Sequence, residues 1–169
     1  MFTVNIALMK RMGPQWKPIF GVVHAPVNRT TWFGGVDVPA TKITDAETSE
    51  ISVKKQTSTQ PRLVASGSHR AERDEKFAKE LGDHELVRMG SSLKACIVAE
   101  GSADLYPRFG PTSCWDIAAA HAVVEAAGGF VLSPQCKPLV YDLVDEVLNP
   151  YFLVTCSSKW NDIWAQNQD

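Results

Sequence analysis

The residues best suited to chemistry are two cations, a hydroxyl-rich turn and one carboxylate in the second half of the chain. Lys94 and Arg108 can hold the oxygens of a phosphate group, because charged donors make strong hydrogen bonds to such anions. Ser91 lies in the small-residue turn just before Lys94 and adds a hydroxyl donor. The carboxylate of Asp116 is a hard oxygen ligand of the kind that Mg²⁺ prefers. Together these residue types indicate a phosphate or metal site.

Asp116 belongs to a stretch with the start and stop signals of a helix. Ser113 precedes it by three residues, which is the spacing of a capping box, and Gly128 provides a left-handed stop. Alanine fills the interior, so the helix is expected to pack close to a neighbour. Two interpretations of Asp116 stay open. Its carboxylate either only completes the helix end or also faces a ligand, since a helix N-terminus attracts anions.

A second candidate site follows the strand expected at residues 62–66. A small-residue turn there leads into a charged amphipathic helix over residues 71–81. Ser66, Ser68 and His69 therefore fall at the carboxyl end of a strand, the edge where α/β sheets bind ligands. The alternative is that the two serines only cap the helix.

The pattern of elements divides the chain into residues 1–60 and 61–169. The first part predicts strands at residues 2–8, 19–25 and 30–33 and a break at Gly34. A polar surface hairpin or loop is expected to follow, centred on residues 51–53. The second part alternates strands with helices, which is typical of an α/β layer. Residues 139–141 are expected to be exposed. The predicted fold class is α/β, as a layered α+β arrangement.

Composition excludes several classes of protein. Hydrophobic residues make up 44% and charged residues 21% of the 169 residues, as in ordinary soluble domains. A net charge of −2 leaves no footprint for nucleic acid, and no apolar stretch is long enough to cross a bilayer. The cysteines are widely spaced, which indicates reduced thiols in the cytoplasm. They are Cys96, Cys114, Cys136 and Cys156.

The same stretch resembles a known family. The W-D-I-A-A run at residues 115–119, with the later Gly128-Gly129 pair, resembles the second signature of the inositol monophosphatase superfamily. The longer stretch over residues 90–123 is similar to the bacterial CysQ branch, the 3'(2'),5'-bisphosphate nucleotidases. The resemblance extends over residues 2–150. It implies the layered fold of inositol monophosphatases and sugar phosphatases.

The resemblance also implies an activity and a role for each matching residue. The expected reaction is Mg²⁺-dependent removal of the 3'-phosphate of adenosine 3',5'-bisphosphate, or of its sulfated form, in sulfur metabolism. Asp116 would bind metal and touch the substrate, while Ser91, Lys94 and Arg108 would hold the 5'-phosphate. The nucleotide would be bordered by Ser66, Ser68 and His69.

One signature of the family does not occur in this sequence. A D-P-L-D-G-T type loop and an upstream glutamate pair supply most metal ligands in the family. We therefore expect this chain to correspond to the C-terminal part of the fold and to have little phosphatase activity alone. An inositol or sugar monophosphatase and a non-catalytic fragment stay open as alternatives. So do a homo-oligomer and a peripheral association with the inner membrane.

Overall fold

The first part of the chain forms an antiparallel meander. The computed structural model describes residues 2–56, 59–65 and 72–168, and within these ranges a sheet of five strands pairs in sequence order. The strands are β1 (Val4–Met12), β2 (Gln15–Ala25), β3 (Thr30–Gly35), β4 (Val38–Ile43) and β5 (Thr48–Glu50). The hairpin predicted from the first two strands is present, with Ile6 opposite Val22.

Two expectations for this part were wrong in detail. β3 continues through Gly34 and Gly35 instead of ending before them. A Cβ on Gly34 would lie 2.9 Å from the Ala126 Cβ, so the glycine is needed for close packing inside a strand. The polar segment does contain a hairpin, formed by β4 and β5, but its turn precedes residues 51–53, and Val53 is buried.

The second part forms a mixed sheet with helices, as the α/β prediction required. In the described ranges its strand order is β7-β6-β8-β10-β9, with β6 and β7 parallel and β10 antiparallel to both neighbours. Its strands are β6 (Arg62–Ala65), β7 (Glu85–Arg88), β8 (Leu105–Arg108), β9 (Phe130–Leu132) and β10 (Phe152–Thr155). Its helices are α1 (Glu72–Leu81), α2 (Leu93–Ala99), α3 (Cys114–Ala126) and α4 (Asn161–Gln166).

Helix α3 lies between the two sheets and connects them. It packs on β1, β2 and β3 of the meander on one side and on α2 on the other. Gly21 of β2 allows this approach, because a Cβ there would stand 2.0 Å from the carbonyl oxygen of Ala119. The chain passes from the first sheet to the second between β5 and β6. Helix α3 comes later in the chain, yet it packs on the first sheet. The division at residue 60 therefore stays a prediction.

An aromatic cluster connects α1, α4 and the end of β8. It consists of Phe77 of α1, Phe109 after β8 and Trp164 of α4, which contact one another at tilted or edge-on angles. The ring centroids are 5.9 Å apart for the two phenylalanines and 5.1 Å apart for Phe109 and Trp164. Rings in such contacts stabilise a core beyond the area they bury. None of the helices described here has the length and apolar character to cross a bilayer.

Residues 139–141 do not form the exposed segment expected from sequence. Leu139 and Tyr141 are both buried, and the backbone of Tyr141 pairs with that of Trp16 in β2. The tyrosine hydroxyl lies 2.8 Å from Nδ1 of His121, inside the core. Tyr141 can be buried because its hydroxyl has a hydrogen-bond partner, His121 of α3, which lies 20 positions away in the sequence.

Candidate functional site

A cleft of about 370 Å³ opens where four elements meet. The first residues of β1, the turn before α2, the end of β8 and the first turn of α3 surround it. Four of the residues singled out from sequence line this cleft: Ser91, Lys94, Arg108 and Asp116. Ser66, Ser68 and His69 lie outside the described residues.

Lys94 is the most unusual side chain of the cleft, because it is a lysine with only 6% of its surface exposed. Its ammonium group donates a hydrogen bond to the Ser91 carbonyl at 2.9 Å and stands 5.3 Å from the centre of the Tyr106 ring. Burial and, to a smaller extent, the nearby Arg108 lower the pKa of Lys94 to about 8, while Asp116 opposes the shift. A bound anion would favour the charged form of this group.

Arg108 brings a second cation to the same cleft from the end of β8. Its Nη2 donates to the Pro111 carbonyl at 3.2 Å. The guanidinium lies against Gly110, where an added Cβ would be 3.3 Å from Cζ. The turn after β8 therefore supports one edge of the guanidinium near the cleft. Two cations converging on one cavity make it attractive to phosphate oxygens.

Asp116 is exposed in the first turn of α3 and lines the cleft. The predicted capping box is present: the Ser113 side chain accepts from the Asp116 backbone, and the Ser113 N–H donates to Asp116 Oδ2 at 2.8 Å. Within the described chain, Oδ1 accepts no hydrogen bond. One carboxylate oxygen thus completes the helix end while the other has room for a ligand, so the two interpretations do not exclude each other.

The start of β1 contributes residues that the sequence alone did not indicate. The Thr3 hydroxyl lies 2.6 Å from the Ser91 hydroxyl and 2.8 Å from that of Ser92. Ser92 in turn donates to the Asn5 side-chain oxygen at 2.9 Å. The one available signal was the alternation of β1, which places Thr3 and Asn5 on the same face as Ala7, toward α3.

The described residues do not provide a complete magnesium site. They contain no cluster of three or more histidine, cysteine, aspartate or glutamate side chains that could hold a metal ion. Asp116 is the carboxylate that the described part of the chain brings to this cleft. Mg²⁺ binds several oxygen ligands in near-octahedral geometry. Asp116 fits as one ligand, and a pair of ions needs more than these residues supply.

Comparison with known proteins defines the class. The model of the inositol monophosphatase family matches residues 1–162, so the chain belongs to that family. The expected family and layered fold are thus confirmed.

Particular relatives share more than the fold. The 3'(2'),5'-bisphosphate nucleotidase CysQ of Salmonella typhimurium is 44% identical over 158 residues, which cover 91% of this chain and 60% of the relative. The Escherichia coli enzyme of the same name matches at the same identity and coverage. The chain therefore spans about 60% of the length of these relatives.

Solved structures of the same family are also similar to this chain. CysQ from Bacteroides thetaiotaomicron, a bacterial member of the inositol monophosphatase family, aligns with a TM-score of 0.78 at 34% identity. That alignment covers 92% of this chain and 63% of the other. An inositol monophosphatase from Thermotoga maritima aligns with a TM-score of 0.71 at 20% identity, which shows a shared fold alone.

Proposed function

We propose that this chain provides the substrate-binding side of a phosphatase that removes the 3'-phosphate of adenosine 3',5'-bisphosphate. The observation that carries the proposal is the convergence of Lys94, Arg108 and Asp116 on one cleft. A substrate with two phosphates needs cations for the group that does not react, and a carboxylate for metal at the group that does. The relatives named as bisphosphate nucleotidases support this choice of substrate.

Each residue has a defined task in this proposal. Ser91, Lys94 and Arg108 bind the 5'-phosphate, the arginine through two parallel N–H donors. Asp116 would hold Mg²⁺ with the carboxylate oxygen that does not cap the helix. A bound Mg²⁺ would polarise a phosphoryl oxygen and activate water. Because Lys94 is buried, its charge is poorly screened by solvent and acts strongly on an anion in the cleft.

The remaining roles rest on the family resemblance. Ser66, Ser68 and His69 would border the nucleotide, and the sulfated form of the same nucleotide would be a second substrate. A role in sulfur metabolism follows from that chemistry. The cytoplasm is the proposed compartment, which agrees with the free cysteines among the described residues.

Low activity of the chain by itself remains a prediction. It rests on the single carboxylate that the described residues bring to the cleft, because one carboxylate does not hold a pair of magnesium ions. The test is an assay of the purified chain with adenosine 3',5'-bisphosphate and Mg²⁺. Turnover in the ordinary enzymatic range of about 1–1000 s⁻¹ would contradict the prediction.

Asp116→Asn tests the proposed metal role. The amide keeps the shape but is a poorer metal ligand, so Mg²⁺-dependent binding of adenosine 3',5'-bisphosphate should weaken at least about tenfold. Calorimetric titration with and without Mg²⁺ measures this, and binding without the metal should not weaken.

Asp142→Asn is the matched control. Asp142 also accepts backbone N–H groups, from Val144 and Asp145, but it does not line the cleft. Equal weakening in both variants would reject the metal role of Asp116. If the wild-type chain binds neither Mg²⁺ nor the nucleotide, the non-catalytic alternative is correct.

A further inference from the structure

A segment outside the cleft contacts the helix that carries Asp116. Residues 139–149, called the strap here, run along α3 and attach to it at both ends. At the first end the Tyr141 hydroxyl meets Nδ1 of His121 at 2.8 Å, in the middle of the helix. At the second end Asn149 reaches the residues just before the helix begins.

Asn149 makes a dense set of contacts there. Its side-chain amide donates to the Ser113 carbonyl at 2.8 Å and to the Thr112 hydroxyl at 3.1 Å. Its backbone N–H donates to the Thr112 carbonyl at 2.8 Å. In the same place the N–H of Cys114, the first residue of α3, donates to the Val147 carbonyl at 2.8 Å. These bonds fix the backbone of residues 112–114.

The fixed backbone is the part that orients Asp116. Ser113 has an extended conformation, with φ −98° and ψ 163°, and in that conformation its N–H donates to Asp116 Oδ2 at 2.8 Å. Asn149 therefore holds the carbonyl side of Ser113 while the amide side of Ser113 holds the carboxylate. A rotation of Ser113 would release Oδ2 and let the carboxylate turn.

We propose that Asn149 is a positioning residue, which fixes the Asp116 carboxylate in the orientation that faces the cleft. Asn149 does not line the cleft itself. It acts through Ser113, and its effect on ligands rests on the proposed function of Asp116. Its effect on the Ser113–Asp116 hydrogen bond does not depend on any ligand.

Hydrogen exchange of the Ser113 amide in the ligand-free chain tests the geometry directly. Asn149→Ala removes both side-chain donors, and Asn149→Asp removes them while keeping the shape. Both variants should speed exchange of this amide about tenfold, the effect of losing one to two hydrogen bonds. Tyr141→Phe is the matched control, because it loosens the other end of the strap and should leave Ser113 exchange unchanged. Unchanged exchange in both Asn149 variants, with their melting curves intact, would overturn the proposal.

Titration with Mg²⁺ and adenosine 3',5'-bisphosphate tests the consequence for binding. Asn149→Ala should weaken metal-dependent binding about tenfold, and should have no further effect in an Asp116→Asn background. Equal weakening in both backgrounds would show that Asn149 acts by another route and would overturn the proposal. If Asp116→Asn itself leaves binding unchanged, the proposed function fails, while the exchange measurement still decides the role of Asn149.

Discussion

The first turn of α3 and the rest of the same helix do different work. The first turn is open: Trp115 and Asp116 are exposed, and the aspartate faces a polar cleft. The interior of the helix is closed, with Ala118, Ala119 and Val123 buried between the meander and the rest of the core. The exposed carboxylate thus lies at one end of a helix whose other residues are packed in the core.

The buried part also contains its own polar network. His121 lies 2.8 Å from the Tyr141 hydroxyl and 3.3 Å from the Glu125 carboxylate, which pairs with Lys17 of β2 at 3.1 Å. Buried polar groups of this kind stabilise a structure only when they are paired. Substitutions in the interior should therefore change stability, while substitutions in the first turn should change binding.

Gly21→Ala tests the packing of the buried part of α3, and it is the substitution expected to have the largest effect on stability. The new Cβ would stand 2.0 Å from the Ala119 carbonyl oxygen, so the helix or the strand must shift. Unfolding free energy should fall by at least about 3 kcal/mol, measured by urea denaturation. Gly90→Ala is the control, since nothing lies within 4 Å of its added Cβ. Equal losses in the two variants would contradict close packing of α3 on β2.

Acidic pH should lower the stability of the fold, because His121 is buried in the interior part of α3. Burial lowers the pKa of His121 below its ordinary 6.5, although Glu125 opposes the shift. Between pH 7 and pH 5 this histidine therefore takes up a proton in the unfolded chain but stays neutral in the folded chain. The free energy of unfolding falls as a result, by at most about 2 kcal/mol. Thermal melts across this range measure the fall.

Two variants complete this test. His121→Gln removes the titrating group and should flatten the dependence between pH 7 and pH 5. His84→Gln, at a half-buried position outside this polar network, should leave the dependence as in the wild type. The same slope in all three proteins would contradict the role given to His121.

Alkaline pH should weaken ligand binding in the cleft, because Lys94 loses its charge. The pKa of Lys94 is lowered to about 8, mainly by burial, so the charged fraction falls about tenfold between pH 7 and pH 9. Affinity for adenosine 3',5'-bisphosphate should fall by a similar factor, as measured by titration at each pH. Lys94→Arg keeps its charge over this range and should show a much smaller fall. A full fall in the arginine variant would assign the pH dependence to another group.

Local signals predicted the elements around the site well. The capped helix was predicted from Ser113, Asp116 and Gly128, and Gly128 has the expected left-handed φ of 85°. These signals act within one or two turns of the chain, so the sequence alone displays them. The cations Lys94 and Arg108 were identified from their side-chain chemistry, and the W-D pair from the resemblance to the family.

Contacts between distant residues were not predictable from the same patterns. Thr3 and Ser91 are 88 positions apart, and Asn149 reaches Ser113 across 36 positions. Gly34 was taken as a strand break because its packing partner, Ala126, belongs to a helix much later in the chain. In each case the deciding contact is tertiary, and no local propensity encodes it.

Lys94→Ala tests directly whether the two cations of the cleft recognise a second phosphate. Titrations of wild type and variant with adenosine 3',5'-bisphosphate and with inositol 1-phosphate, each with Mg²⁺, compare the two ligands. The bisphosphate should lose at least about tenfold in affinity, since a charged hydrogen bond disappears, and inositol 1-phosphate should lose less than about twofold. Equal losses for the two ligands would show that Lys94 does not recognise the second phosphate.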